Sequence, residues 1–120
     1  MGKTKTGRRD RLSVSIFRKK DNKAGLVFKH KDMLYRISAV LGYCKLVSEF
    51  KACADPGSRI VQLQSPKNRK WAVEVVSGEG DGSGRAALVV WELMQDGRSL
   101  MKFAWLGTAK DINAVFTPFQ

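Results

Sequence analysis

The sequence predicts an α+β fold: an antiparallel sheet of about six or seven strands, one principal helix and a disordered basic arm at the N-terminus. Three observations predict it. Several short runs alternate apolar and polar residues, the period of a half-buried strand. Turn residues separate those runs. The first eleven residues contain no apolar side chain after Met1, so they have nothing to bury. The 120-residue length suits one domain, divided into a flexible arm (1–11) and a globular part (12–120).

In chain order, Leu12, Val14 and Ile16 share one face of a first strand and Ser13, Ser15 and Phe17 the other. A polar break from Lys19 to Gly25 precedes a second strand, Leu26 to His30, giving a hairpin with a lysine-rich loop. From Asp32 to about Phe50 the spacing of Leu34, Ile37, Leu41, Cys44 and Val47 predicts a helix with Asp32 as N-cap. Gly42 weakens that assignment, and two strands are the competing reading.

Asp55-Pro56-Gly57 is a turn. Ile60 to Gln64 reads as a short strand, and Trp71 to Val76 as another with Trp71, Val73 and Val75 aligned. Residues 77–84 are a glycine-rich loop. Ala86 to Met94 is apolar on both faces apart from Glu92, which predicts a central strand covered on both sides. Asp96-Gly97 is a hairpin signal, with Leu100 to Leu106 as the partner strand. Residues 111–119 suit a short helical turn or a last strand.

Charge is distributed unevenly. The whole chain carries +11, and residues 1–31 hold eleven basic side chains against two acidic ones, a net +9. Such a segment attracts polyanions. Binding a polyphosphate needs several cations along one path, each displacing condensed counterions. Lys3, Lys5, Arg8, Arg9 and Arg11 supply five on the arm; Arg18, Lys19, Lys20 and Lys23 surround the hairpin loop; Lys29 and Lys31 follow on the return strand. Lys67, Arg69 and Lys70 form a second, smaller cluster. Phe17 and Phe28 lie among these charges and are candidates for base stacking, with core packing the stronger expectation for both.

The expected function is therefore non-catalytic nucleic-acid binding through the phosphate backbone, in packaging (a small viral or phage protein fits) or regulation. Single-stranded targets are slightly favoured over duplex. The alternatives are a peripheral, matrix-like protein on anionic lipid, and a protein-interaction module with a cationic tail. The first six residues fit the N-myristoylation pattern, the best membrane-surface signal in the chain. A homodimer is a candidate assembly, through hydrophobic strand edges.

Enzyme and cofactor readings find little to stand on. His30 is the only histidine, two cysteines complete at most three zinc ligands, and the acidic residues are scattered. Neither Gly2-Lys3-Thr4 nor loop 77–84 makes a phosphate-binding loop. No catalytic residue, metal or cofactor is expected. No apolar run approaches the ~20 residues of a membrane span, and no apolar stretch follows the basic start. An intracellular location (cytoplasm, nucleus or nucleoid) is expected, with Cys44 and Cys53 as free thiols.

Overall fold

A computed structural model of the chain describes residues 11–21, 23–40, 42–65, 67–78 and 83–119. All but Arg11 of the expected arm lies outside the described residues. The fold is α+β with seven strands, arranged as two antiparallel sheets where the sequence suggested one. Sheet A is β1 (Ser13–Arg18), β2 (Ala24–His30) and β3 (Met33–Ala39) in that order. A helix, α1 (Tyr43–Lys51), and a 3-10 turn (Ala52–Ala54) lead to sheet B. Sheet B is β4 (Gly57–Gln64), β5 (Lys70–Ser77), β6 (Arg85–Leu93) and β7 (Ser99–Thr108), also in chain order. The chain closes with α2 (Ala109–Phe116) and a 3-10 turn (Thr117–Phe119).

Strand alternation decides which side of each sheet turns inward. Val14 and Ile16 of β1, Leu26 and Phe28 of β2 and Ile37 and Ala39 of β3 face the core from sheet A. Val61, Leu63, Trp71, Val73, Val75, Leu88, Val90, Phe103 and Trp105 face it from sheet B. The sheets meet through the Phe28 and Phe103 rings, 5.9 Å apart, and through the Trp71 indole, which donates to Tyr35 Oη at 2.9 Å. A backbone bond from Val40 N to Gln64 O (2.8 Å) ties the end of β3 to the end of β4. The Trp105 indole lies across Gly107, where a Cβ would overlap the ring.

Residues 32–50 take half of each reading of the sequence: a first strand, as in the two-strand alternative, then a helix. Their first half is β3 and their second half α1, so a spacing that looked helical ran across a strand, a break and a helix. The chain reverses at the tight Lys31–Asp32 turn, with Lys31 in the left-handed region (φ 55°). Gly42, which weakened a continuous helix, is the N-cap of the real one. The buried face of α1 is Leu46 and Phe50, four residues apart. Phe50 stacks on Phe116 of α2 at 5.8 Å, so both helices close the same end of the core.

A second correction concerns β6. It is an inner strand of sheet B, but only one of its faces is covered within the described chain. Ala86, Leu88 and Val90 are buried; Ala87, Val89, Trp91 and Leu93 on the other face keep partial exposure. The hairpin at Asp96-Gly97 forms, with Gly97 at φ 91°, and a bulge between Val90 and Trp91 leaves Lys102 unpaired in β7. Residues 109–116 take the helical alternative. Among the described residues, no helix is long and apolar enough to cross a membrane.

Candidate nucleic-acid interface

The outer face of sheet A assembles residues from all three of its strands. Register places Ser13, Lys29 and Leu34 in one cross-strand row, Ser15, Val27 and Arg36 in the next, and Phe17, Gly25 and Ser38 in the third. Phe17 belongs to this face because it sits one residue out of phase with Val14 and Ile16. It is 51% exposed. Gly25 lies beside it, so close that a Cβ there would touch both Phe17 Cδ2 (3.8 Å) and Lys19 Cδ (3.4 Å) in ordinary contact. The Lys19 ammonium crosses the same row and donates to Ser38 Oγ at 2.9 Å. An open aromatic ring thus shares its row with the Lys19 ammonium and Ser38, while Arg36 stands one row and Lys29 two rows further along the same face.

That combination can serve an unpaired strand. A ring with a free side offers stacking to any base, and cations around it can track the phosphates. Further charges stand at both ends of the sheet. Lys20 and Lys23 belong to the β1–β2 loop, held by bonds from Lys19 N to Lys23 O (3.0 Å) and from Lys23 N to Lys20 O (3.3 Å). Lys31 occupies the β2–β3 turn at the opposite end, and Arg11 is exposed ahead of β1. Lys3, Lys5, Arg8 and Arg9 lie outside the described residues.

Three residues expected at the interface are engaged elsewhere. Phe28 is fully buried against Phe103, so no base can stack on it in this fold; its parity puts it on the core side of β2. Arg18 turns toward α1, its guanidinium 4.5 Å from the centre of the Tyr43 ring and its Nη2 3.9 Å from Cys44 Sγ. Arg69 makes a bidentate ion pair with Glu92 (2.8 and 3.0 Å) and lies over Trp71, 4.8 Å from the ring centre. Hydrogen bonds to Arg69 hold the Glu92 carboxyl below its ordinary value, and the same bonds raise Arg69. Lys67 and Lys70 beside it remain exposed.

Arg36 is the converse case, a cation of this face that the sequence did not single out. A lone arginine carries no signal until its strand is known, and only the competing two-strand reading of residues 32–50 makes this segment a strand. Alternation of Tyr35, Ile37 and Ala39 around it was the available clue.

Elsewhere the chemistry is sparse. Burial pushes the Cys53 thiol up to about 11, with Arg59 opposing, so it is a protonated core group at neutral pH. Cys44 is exposed, and both cysteines are free. Among the described residues no three His, Cys, Asp or Glu side chains group to hold a metal ion. Compared with protein-family models, curated proteins and solved structures, the chain gives no significant match to any of them.

Proposed function

We propose that this chain binds nucleic acid without catalysing a reaction, and that it holds a single strand across the outer face of sheet A. The observation that carries this reading is the half-exposed Phe17 ring beside Gly25 and Lys19, on a sheet face that also carries Arg36 and Lys29 one and two rows further along. Duplex DNA keeps its bases stacked on one another, so an isolated ring offers it little. A single strand presents free base faces to that ring. The net +9 of residues 1–31 supplies the salt-dependent part of the affinity, and the basic arm adds phosphate contacts without base preference.

The test is fluorescence anisotropy with labelled single-stranded and duplex oligonucleotides across a salt series. Removal of the Phe17 ring in Phe17→Ala is expected to weaken single-strand binding by about 1–3 kcal/mol, the usual worth of one stacked base, while leaving the salt slope intact. Lys29→Ala and Arg36→Ala should each lower the slope by about one. Absence of binding at low salt overturns the reading, as does equal loss for duplex and single strand in Phe17→Ala. Flotation with acidic lipid vesicles but no oligonucleotide binding would assign the same charges to a membrane surface.

A further inference from the structure

The outer face of sheet B is a second exposed surface, of opposite character. Register sets Val76, Ala87 and Leu106 in one row, Ile60, Glu74, Val89 and Ala104 in the next, and Gln62, Ala72, Trp91 and Met101 in a third. Leu106 is 82% exposed, Ile60 61% and Met101 60%. Lone exposed apolar side chains are ordinary, but here they are contiguous over four strands. The one carboxylate in these rows, Glu74, accepts from the Trp91 indole at 3.2 Å. Lys70 and Arg85 stand at the end rows of the face.

We propose that this face is the interface between two copies of the chain, packed sheet against sheet about a two-fold axis. The first argument comes from β6. Its sequence is apolar on both sides, the pattern of a strand buried on both faces, yet only the inner face is covered. Among the described residues nothing lies over the outer face. The stretches outside the described residues are 1–10, 79–82 and four single positions (22, 41, 66 and 120), and the two stretches contain no apolar side chain after Met1. Such mostly polar stretches offer little apolar surface for the cover, which favours a second molecule as its source.

Charge and area favour a second copy. A chain of net +11 repels itself over most orientations, and the residues responsible are concentrated in 1–31, on and before sheet A. The outer face of sheet B carries two cations and one hydrogen-bonded carboxylate, so it is the approach with the least repulsion. The same shortage of cations makes it a poor partner for phosphates. The eight residues of β5, at about 3.3 Å each, and four strands at about 4.8 Å give a footprint of roughly 500 Å². Two such faces reach the ~1,000 Å² at which specific interfaces begin. A two-fold pair uses the same patch twice, so complementarity requires no separate partner surface. Trp91 and Met101, opposite one another across β6 and β7, are the anchoring side-chain types of interface centres. Sheets packed this way stand about 10 Å apart.

The experiment is sedimentation equilibrium on the full, nucleic-acid-free chain, at about 100 µM and about 0.5 M salt so that long-range repulsion is screened. The expected mass is twice the 13.4 kDa of one chain. Leu106→Lys and, separately, Met101→Lys place a charge in the interface at positions already exposed in the single chain. Both should sediment as monomers with an unchanged circular dichroism spectrum. A wild-type monomer under these conditions overturns the proposal. So does a dimer that survives both substitutions, because its interface then lies elsewhere. Neither result depends on whether sheet A binds nucleic acid.

Discussion

Glu92 is 7% exposed, turned toward the core side of β6, and its charge is compensated by Arg69 at 2.8 Å and Lys102 at 3.7 Å. A carboxyl whose pKa is depressed in the folded state contributes stability above its unfolded value, near 4.5, and loses it as pH falls through the folded value. Urea-unfolding midpoints should therefore hold steady toward pH 5 and drop below about pH 4.5. Glu92→Gln should cost about 1–2 kcal/mol at pH 7, discounted because Arg69 is half exposed, and should flatten the acid limb. An unchanged acid limb in that variant would remove Glu92 from the account. The two phenylalanines show how far single residues can be read. Phe17 alternates against Leu12, Val14 and Ile16, and that phase alone sends it outward. Phe28 has Lys29 and His30 as chain neighbours, but in a strand the adjacent residue points the other way. Its proximity to charges in sequence was uninformative about its surroundings. The ion pair that withdraws Arg69 joins residues 23 positions apart, a distance no local pattern spans.

The two helices begin differently, and each beginning has a cost that can be measured. Thr108 accepts from Asp111 N through its hydroxyl, while the Asp111 carboxylate accepts from Thr108 N, a complete capping box for α2. Thr108→Ala should lower stability by about 1 kcal/mol in chemical denaturation. A change under a few tenths would mean that burial of Ile112 and Phe116 suffices to start the helix. α1 begins at Gly42 with no side-chain cap and depends on Leu46 and Phe50 instead. That lack of a start signal is why a helix beginning at Tyr43 was hard to see, whereas Asp32 offered a cap residue where the chain in fact makes a tight turn. The hairpins of sheet B were legible because their turns carry the chemistry their geometry needs: Gly97 at positive φ is the example. What no strand pattern supplied was the division into two sheets. It follows from the β3–α1–β4 connection, where the chain leaves one sheet through a helix before entering the next.

At the scale of the molecule, cations and a free aromatic ring lie on the outside of sheet A, and aliphatic side chains on the outside of sheet B, with the shared core between them. The core is joined by long-range contacts, chiefly Phe28 with Phe103 and Tyr35 with Trp71, whereas every strand pairs with its neighbour in sequence. Pairings of that kind close short loops and form readily; docking one sheet on the other closes a long one. Phe28→Ala should therefore cost about 3–5 kcal/mol, appearing mostly as faster unfolding rather than slower refolding. A stopped-flow series in denaturant would show it, and a loss confined to the refolding limb would place docking before the rate-limiting step. Neighbour-only pairing also sets a timetable for synthesis. Sheet A is complete in sequence at Ala39, but sheet B must wait for Thr108. At roughly 5–20 residues per second, the ribosome takes several seconds to cover that gap. During those seconds Leu26 and Phe28 have no opposing sheet, so the nascent chain passes through a stage in which its charged side is built and its greasy side is bare.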